Sequence, residues 1–381
     1  GTGRKNSNTL IDYGGRATLL WRPTDRLSIK LLGSYEYSNP KDSSLTSPSL
    51  GRNKRVSDEP DRFTGKQLIA NATIDYEFDF AKLTSSSTYS DFDQRFYVDL
   101  AGTFQPGSFA GAPIAFGLDA DGYDKVFVQE TRLASTLDGP FQFVVGGFYL
   151  DRRRDVDYFY RSNLAFLAAR NMTGLPDKYF QKQYTHSLSK ELAGFGELTY
   201  RFSDKFSLTG GMRYGETSAQ GFTEAGGYLA TAPGFFNLNY LQAALAGLKG
   251  PTGAYLPVNF TTSTPYAAVT GLKAKGSKPS WKASATFKPS ESVTTYATFS
   301  TGFRAPIVNA FAGRASGVDA NDIIIPFGAT SDSLESYEVG AKGRWLGGRV
   351  SINAAFYLID WSNIQAQANR VSDSVQFATN I

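Results

Sequence analysis

Val350-Ser351-Ile352-Asn353-Ala354-Ala355-Phe356-Tyr357-Leu358 alternates without a break. Val350, Ile352, Ala354, Phe356 and Leu358 form a wholly apolar set, and Ser351, Asn353, Ala355 and Tyr357 form the other. Period two puts the two sets on opposite faces of one strand. The preceding strand, before the Leu346-Gly347-Gly348 turn, repeats the pattern: Tyr337, Val339, Ala341 and Trp345 share one parity, while Glu338, Lys342 and Arg344 share the other. Strands in soluble sandwiches usually run to about five or six residues. These run to about a dozen, with aromatics near the ends and charges on the second face, which is enough to cross a bilayer at a tilt. The hairpin reads as part of an antiparallel transmembrane β-barrel, an all-β fold.

Composition agrees. The 381 residues include 29 Phe, 21 Tyr and 38 Gly, with only 19% charged, a balance suited to barrel strands with interfacial aromatic girdles. Mean hydropathy is −0.28, and no apolar run reaches the ~18 residues of a membrane-spanning helix. Cysteine is absent, so disulfide frameworks, zinc knuckles and thiol chemistry are excluded. A formal net charge of +4 makes no case for nucleic acid.

The neighbouring sequence resembles a known family. Tyr296-Ala297-Thr298-Phe299-Ser300-Thr301-Gly302-Phe303-Arg304-Ala305-Pro306 followed by Asn309 looks like the "YASYSTGFRAPxxN" segment of TonB-dependent outer-membrane receptors. Leu334-Glu335-Ser336-Tyr337-Glu338-Val339-Gly340-Ala341-Lys342 resembles the next strand of that family, and Ala354-Ala355-Phe356-Tyr357, Asp360-Trp361 and Ile364-Gln365 resemble the one after it. Upstream, "LLWRPTDRLSIKLLGSYEYS", "YEFDFAKLTSSSTYSDFD", "VQETRLAS" and "ELAGFGELTYRFSDKFSLTGGMRYGETS" carry further echoes in the family's order. The resemblance implies a 22-stranded barrel around an N-terminal plug, about twelve strands of which are present here, with plug and TonB box absent. Residues 1–381 read as one partial barrel domain. Gly1 follows no visible signal peptide, and the chain stops where the family would enter another strand, so the expectation is a piece of a longer protein.

Turn lengths orient the barrel. Connections near Pro23, Asp79, Gly139, Asp204, Pro289 and Gly347 are short; those at 39–63, 97–122, 161–181, 221–276, 305–331 and 362–374 are long. Short periplasmic turns alternating with long extracellular loops is the outer-membrane pattern. Leu238, Leu241, Leu245 and Leu248 recur at helical spacing, predicting a helix over 237–249 within a lid-like longest loop; 162–170 is a second helical stretch.

Several residues are candidates for function. Glu130, Arg132, Glu197, Arg201, Glu338, Lys342 and Arg344 fall on lumen parity, where the resemblance implies packing against the plug. Arg304 and Asn309 begin a long loop, where they contact ligand or fix the loop's exit. Tyr158, Phe159, Tyr160, Arg161, Phe235, Phe236 and Tyr240 are the ligand-binding candidates, since aromatic faces and guanidinium groups suit an anionic, partly aromatic ferric chelate. His186 is the sole histidine, which leaves no histidine-based metal site. Asp151-Arg152-Arg153-Arg154-Asp155 reads as a solvated strand end, with lipopolysaccharide phosphates or the lumen as its alternative surroundings. No residue is assigned catalysis, and no cofactor is expected.

The resemblance implies active uptake of a scarce solute, most often a ferric siderophore, with TonB as energising partner and outer-membrane lipid and lipopolysaccharide as surroundings in a Gram-negative bacterium. Saccharide or cobalamin cargo, a passive porin, and a soluble β-rich binding protein are the alternatives. The bilayer-length strands argue against the last.

Overall fold

The computed structural model describes residues 5–44, 46, 50–55, 57, 59–99, 116–238, 249–263, 267–316, 319–372 and 375–381. Strands β1 (Leu10–Trp21), β2 (Leu27–Pro40), β3 (Arg62–Glu77), β4 (Ala81–Asp99), β5 (Phe116–Ser135) and β6 (Phe141–Ser162) come first. A short helix α1 (Leu164–Ala169) and β7 (Met172–Thr173) lead to β8 (Tyr179–Ser203), β9 (Phe206–Ala232), β10 (Phe235–Leu238), β11 (Val258–Ser263), β12 (Ala267–Ser290) and β13 (Val293–Gly302). The chain continues through β14 (Ile307–Val308), β15 (Gly328–Ala329), β16 (Ser333–Trp345), β17 (Val350–Ser362), β18 (Gln365–Asn369) and β19 (Gln376–Asn380). Twelve of these form one antiparallel path, β1-β2-β3-β4-β5-β6-β8-β9-β12-β13-β16-β17. The path stays open: β1 and β17 are its edges, and every residue of both is exposed.

Register shows why this sequence folds as a wall. Phe141 pairs with Tyr200, and the row continues through Leu208, Ala285, Ala297 and Val339 to Phe356, apolar across seven strands. One step along, Gln142, Thr199, Thr209, Ser284, Thr298, Glu338 and Tyr357 form a second row on the other face. Hydroxyls knit that row, with Thr199 to Thr209 and Ser284 to Thr298 each 2.9 Å apart. Exposed Leu19, Leu31, Ile74, Val145, Leu198, Leu208, Val339 and Phe356 all lie on the first face. Large apolar side chains so exposed imply an apolar surround.

On β8, the apolar parity runs from Phe202 to Leu192 and then changes to Lys190; on β6 it runs from Phe141 to Tyr149 and then meets Asp151. Tyr214, Trp281, Phe299 and Tyr337 mark the same upper limit on later strands. About nine residues at a strand rise of ~3.3 Å, tilted ~40°, give roughly 20 Å of height, close to the lipid-facing band of an outer-membrane barrel. A polar interruption sits within this belt. Gln129 Nε2 donates to Ser85 Oγ and Thr131 Oγ1, each at 3.0 Å, and Ser87 Oγ donates to Gln129 Oε1, so these groups satisfy one another.

The six short turns lie at one end, as expected. The turn between β16 and β17 needs its glycines: Gly347 and Gly348 have φ of 67° and 89°, a region that costs glycine little. At the other end the strands outrun the belt, to 25 residues in β8 and 27 in β9. This corrects two expected loops. Residues 97–99 and 116–122 are strand, because β4 continues to Asp99 and β5 starts at Phe116, while 100–115 lie outside the described residues; 221–232 and 267–276 belong to β9 and β12. Their polar residues give weak alternation, yet the ladder continues, pairing Phe116 with Ser162 and Gln181 with Gly227. The predicted 237–249 helix meets strand at Asn237 and Leu238 of β10, while 239–248 lie outside the described residues. The helical reading of 162–170 holds: Asn163 Oδ1 caps α1 by accepting from the N–H groups of Ala165 and Phe166.

Candidate functional site

The second face of the sheet is the concave one, because the loops fold over it. Gly221 and Gly276 both face inward, and a Cβ on either would meet the loop that follows β13: Val308 Cγ2 at 3.0 Å for Gly221, and Ser331 Oγ at 2.8 Å and Pro306 Cδ at 3.1 Å for Gly276. A Cβ at 276 would force the loop to shift, and one at 221 would press on the Val308 methyl. The β14–β15 hairpin therefore lies against β9 and β12. Above it, Leu167, Met172, Val258, Phe260, Ala230 and Ala232 form a small buried core.

Arg304 and Asn309 anchor this loop assembly. Asp332 is 1% exposed and accepts from Arg304 N at 2.8 Å, Arg304 Nε at 2.6 Å and Trp361 Nε1 at 3.0 Å. The Arg304 guanidinium also lies 4.7 Å from the Trp361 ring centre and donates to Gln365 O. Burial alone would raise the Asp332 pKa, but the Arg304 and Trp361 hydrogen bonds outweigh it and hold the carboxyl below its usual value. Asn309 is buried; its Nδ2 donates to Pro326 O and Ala378 O, and its Oδ1 accepts from Ala378 N. The buried Arg370 donates through Nη1 to Arg314 O and Ile323 O. These contacts tie Arg304 and Asn309 to the far end of the loop and to the C-terminal segment.

Alternation divides the candidate cluster on β6. Tyr158 and Tyr160 fall on the concave face, where Phe180 lies 6.2 Å from the Tyr160 ring and burial pushes the Tyr160 phenol up to about 12. Phe159 and Arg161 share the parity of Tyr149 and Val145, so they point to the convex side. The contiguous stretch Tyr158 to Arg161 thus serves two surfaces. Phe235 and Phe236 belong to β10 by backbone, and Tyr240 lies outside the described residues.

All seven lumen-parity residues share the concave face by register. Lys282 Nζ reaches Glu197 at 2.8 Å, Tyr296 OH donates to Glu338 at 2.5 Å, Lys342 stands 5.7 Å from the Tyr296 ring, and Arg132 meets Glu130 at 3.4 Å. An unanticipated pair joins them: Arg213 contacts Glu191 at 2.5 Å over the Phe148 ring. His186 is on the convex side, with Nδ1 3.0 Å from Asp155 Oδ1; Tyr123 OH donates to the same carboxylate. Arg314, Asp332 and Arg370 carry no local sequence signal. Only the distant partners that the fold supplies make them important. Trp361 lay within a recognised motif.

The sequence over residues 7–381 matches the family described as TonB dependent receptor-like, beta-barrel. No curated protein sequence matches the chain. Among solved structures, it is similar to the ferric yersiniabactin uptake receptor FyuA from Yersinia pestis, with a TM-score of 0.66 at 13% identity over 93% of this chain and 46% of that one. The copper transporter OprC gives 0.63 at 13% identity over 98% and 48%. The closed form of the ferric-catecholate import receptor Fiu from K12 E. coli gives 0.57 at 14% identity over 98% and 54%. At such identities the likeness is one of fold, and the chain spans about half the length of these receptors. The chain belongs to the TonB-dependent receptor β-barrel family.

Proposed function

We propose that this chain is the larger part of the barrel wall of an active-transport receptor in the outer membrane of a Gram-negative bacterium. Its cargo is a ferric siderophore, and TonB energises the release. The observation that carries this reading is a polar concave wall capped at one end by an inward-folded loop, with Tyr158 and Tyr160 on that face and Arg314 over the Phe311 ring in the loop. A guanidinium and phenol rings at the mouth suit an anionic chelate with aromatic character. The likeness to FyuA and Fiu, a ferric yersiniabactin and a ferric-catecholate receptor, supports the choice of cargo.

The test is uptake of radiolabelled iron siderophores by iron-starved cells carrying the intact gene, its deletion, or a loop variant lacking residues 312–324. Deletion of the gene abolishes uptake of one siderophore. The loop variant folds, since surface loops contribute little to the strand ladder, and takes up at least tenfold less. An uncoupler or loss of TonB stops transport by the intact receptor; uptake that persists under both identifies a passive pore. Growth that depends on a glycan, cobalamin or copper instead replaces the cargo and leaves the receptor architecture standing.

A further inference from the structure

Two loops that leave different strands are tied to each other over their described length. One runs from Arg304 to Asp332, between β13 and β16; the other follows β17, from Asn363 to Ile381, and holds β18 and β19. At the base, Gln365 Nε2 donates to Ala305 O at 2.8 Å and to Thr330 O at 3.0 Å. Thr330 N donates to Asn380 Oδ1 at 2.7 Å, and Asn380 Nδ2 donates back to Thr330 O at 3.0 Å. Midway, the buried Asn309 holds both the N–H and the carbonyl of Ala378. Towards the tips, Arg370 Nη1 donates to Arg314 O at 2.8 Å, and Ser372 N donates to Asp322 Oδ2 at 2.8 Å.

Ties at the base alone would leave each loop free to swing. Ties at three heights join them into one body. That body is seated on the wall through the close contacts at Gly221 and Gly276, and it buries Ile325 and Ala329 at 2% and 3% exposure. Swinging either loop outward breaks all three sets of ties together and strips Asn309 and Asp332 of the partners that satisfy them. Moving lids come from the least stable parts of a fold, where buried contacts are few. These loops have the opposite construction.

We propose that the two loops form a fixed strap, which stays folded over β9 and β12 throughout transport and leaves admission and release to other parts of the receptor. The strap extends the transport reading, but its closure can be measured without cargo. Ser331 is the reporter, since its buried hydroxyl lies against Gly276 and has no hydrogen-bond partner to lose. Ser331→Cys is made in the intact receptor, with any other cysteine replaced by serine and heat-modifiable migration on gels as the check of folding. Living cells then meet a membrane-impermeant maleimide, whose irreversible reaction accumulates even brief openings. The thiol at 331 reacts at least a hundredfold more slowly than one at Val371, which is 93% exposed. The ratio is the same with an uncoupler, without it, and during uptake from a mixture of ferric siderophores. Asn309→Ala with Asn380→Ala unties the middle and base, and brings the rate at 331 to within tenfold of that at 371. Labelling of 331 that rises with energisation or uptake identifies a moving lid and overturns the proposal. Fast labelling under every condition overturns it too, as does a thiol that stays silent after untying, because another part of the receptor then covers it. If no siderophore is taken up, the transport reading fails, and labelling of 331 against 371 before and after untying still decides the strap.

Discussion

At the scale of single residues, Asp332 shows how one buried carboxylate organises a mouth. It joins the start of the loop after β13 to its end and to β17, through Arg304 and Trp361. Arg304→Ala leaves that carboxylate buried with few donors. Loss of a buried partner is costly, but the guanidinium is 47% exposed, so about 2 kcal/mol is expected, less than for a fully buried pair. Hydrogen exchange and limited proteolysis localise the effect to residues 303–332 and 364–381, while the ladder keeps its protection. The sign of the pH dependence follows from a lowered carboxyl pKa. The stabilisation is full above the unfolded value of 3.8 and is lost as pH falls through the lower folded value. Loop protection is therefore the same at pH 7 and pH 5, and falls only in stronger acid; loosening between pH 7 and 5 would assign the anchor to another group.

At the scale of strands, facing controls the cost of charge. Leu198 on the lipid side and Thr199 on the lumen side are neighbours in β8, paired to Phe143 and Gln142 respectively. Leu198→Arg costs about 2–4 kcal/mol if it lies near the bilayer midplane, whereas Thr199→Arg costs less than about 1 kcal/mol unless it strikes a segment inside the barrel. Unfolding titrations in lipid vesicles compare the two, and equal penalties would place the register one residue off. Strand identity was legible wherever one face met lipid, since strict alternation at 337–345 and 350–358 leaves one reading. It faded above the belt, where β5 and β9 run through polar residues on both faces and the sequence resembles loop. The candidate cluster divides between the two faces for a related reason: Tyr158, Phe159, Tyr160 and Arg161 are adjacent in sequence, so period two splits them. Arg304 and Asn309 were legible as a place in the loop, but their partners at Asp332 and Ala378 are 28 and 69 residues away.

At the scale of the whole molecule, twelve strands make a wall whose two surfaces meet different solvents, with its tight turns at one rim and its overhanging strands at the other. The transport reading and the loop anchor both depend on that facing. This chain has no cysteine, so with any cysteine elsewhere in the intact receptor replaced by serine, single thiols introduced along β8 from position 192 to 201 report their own surroundings. The decisive measurement places a nitroxide label at each of these positions in the intact receptor in lipid vesicles, and compares its collision rates with oxygen and with a water-soluble nickel complex. Labels at 192, 194, 196, 198 and 200 favour oxygen and those at 193, 195, 197, 199 and 201 do not, giving a period of two with maxima on the even positions. Maxima on the odd positions, or no alternation across the segment, would contradict a membrane-embedded wall with this facing.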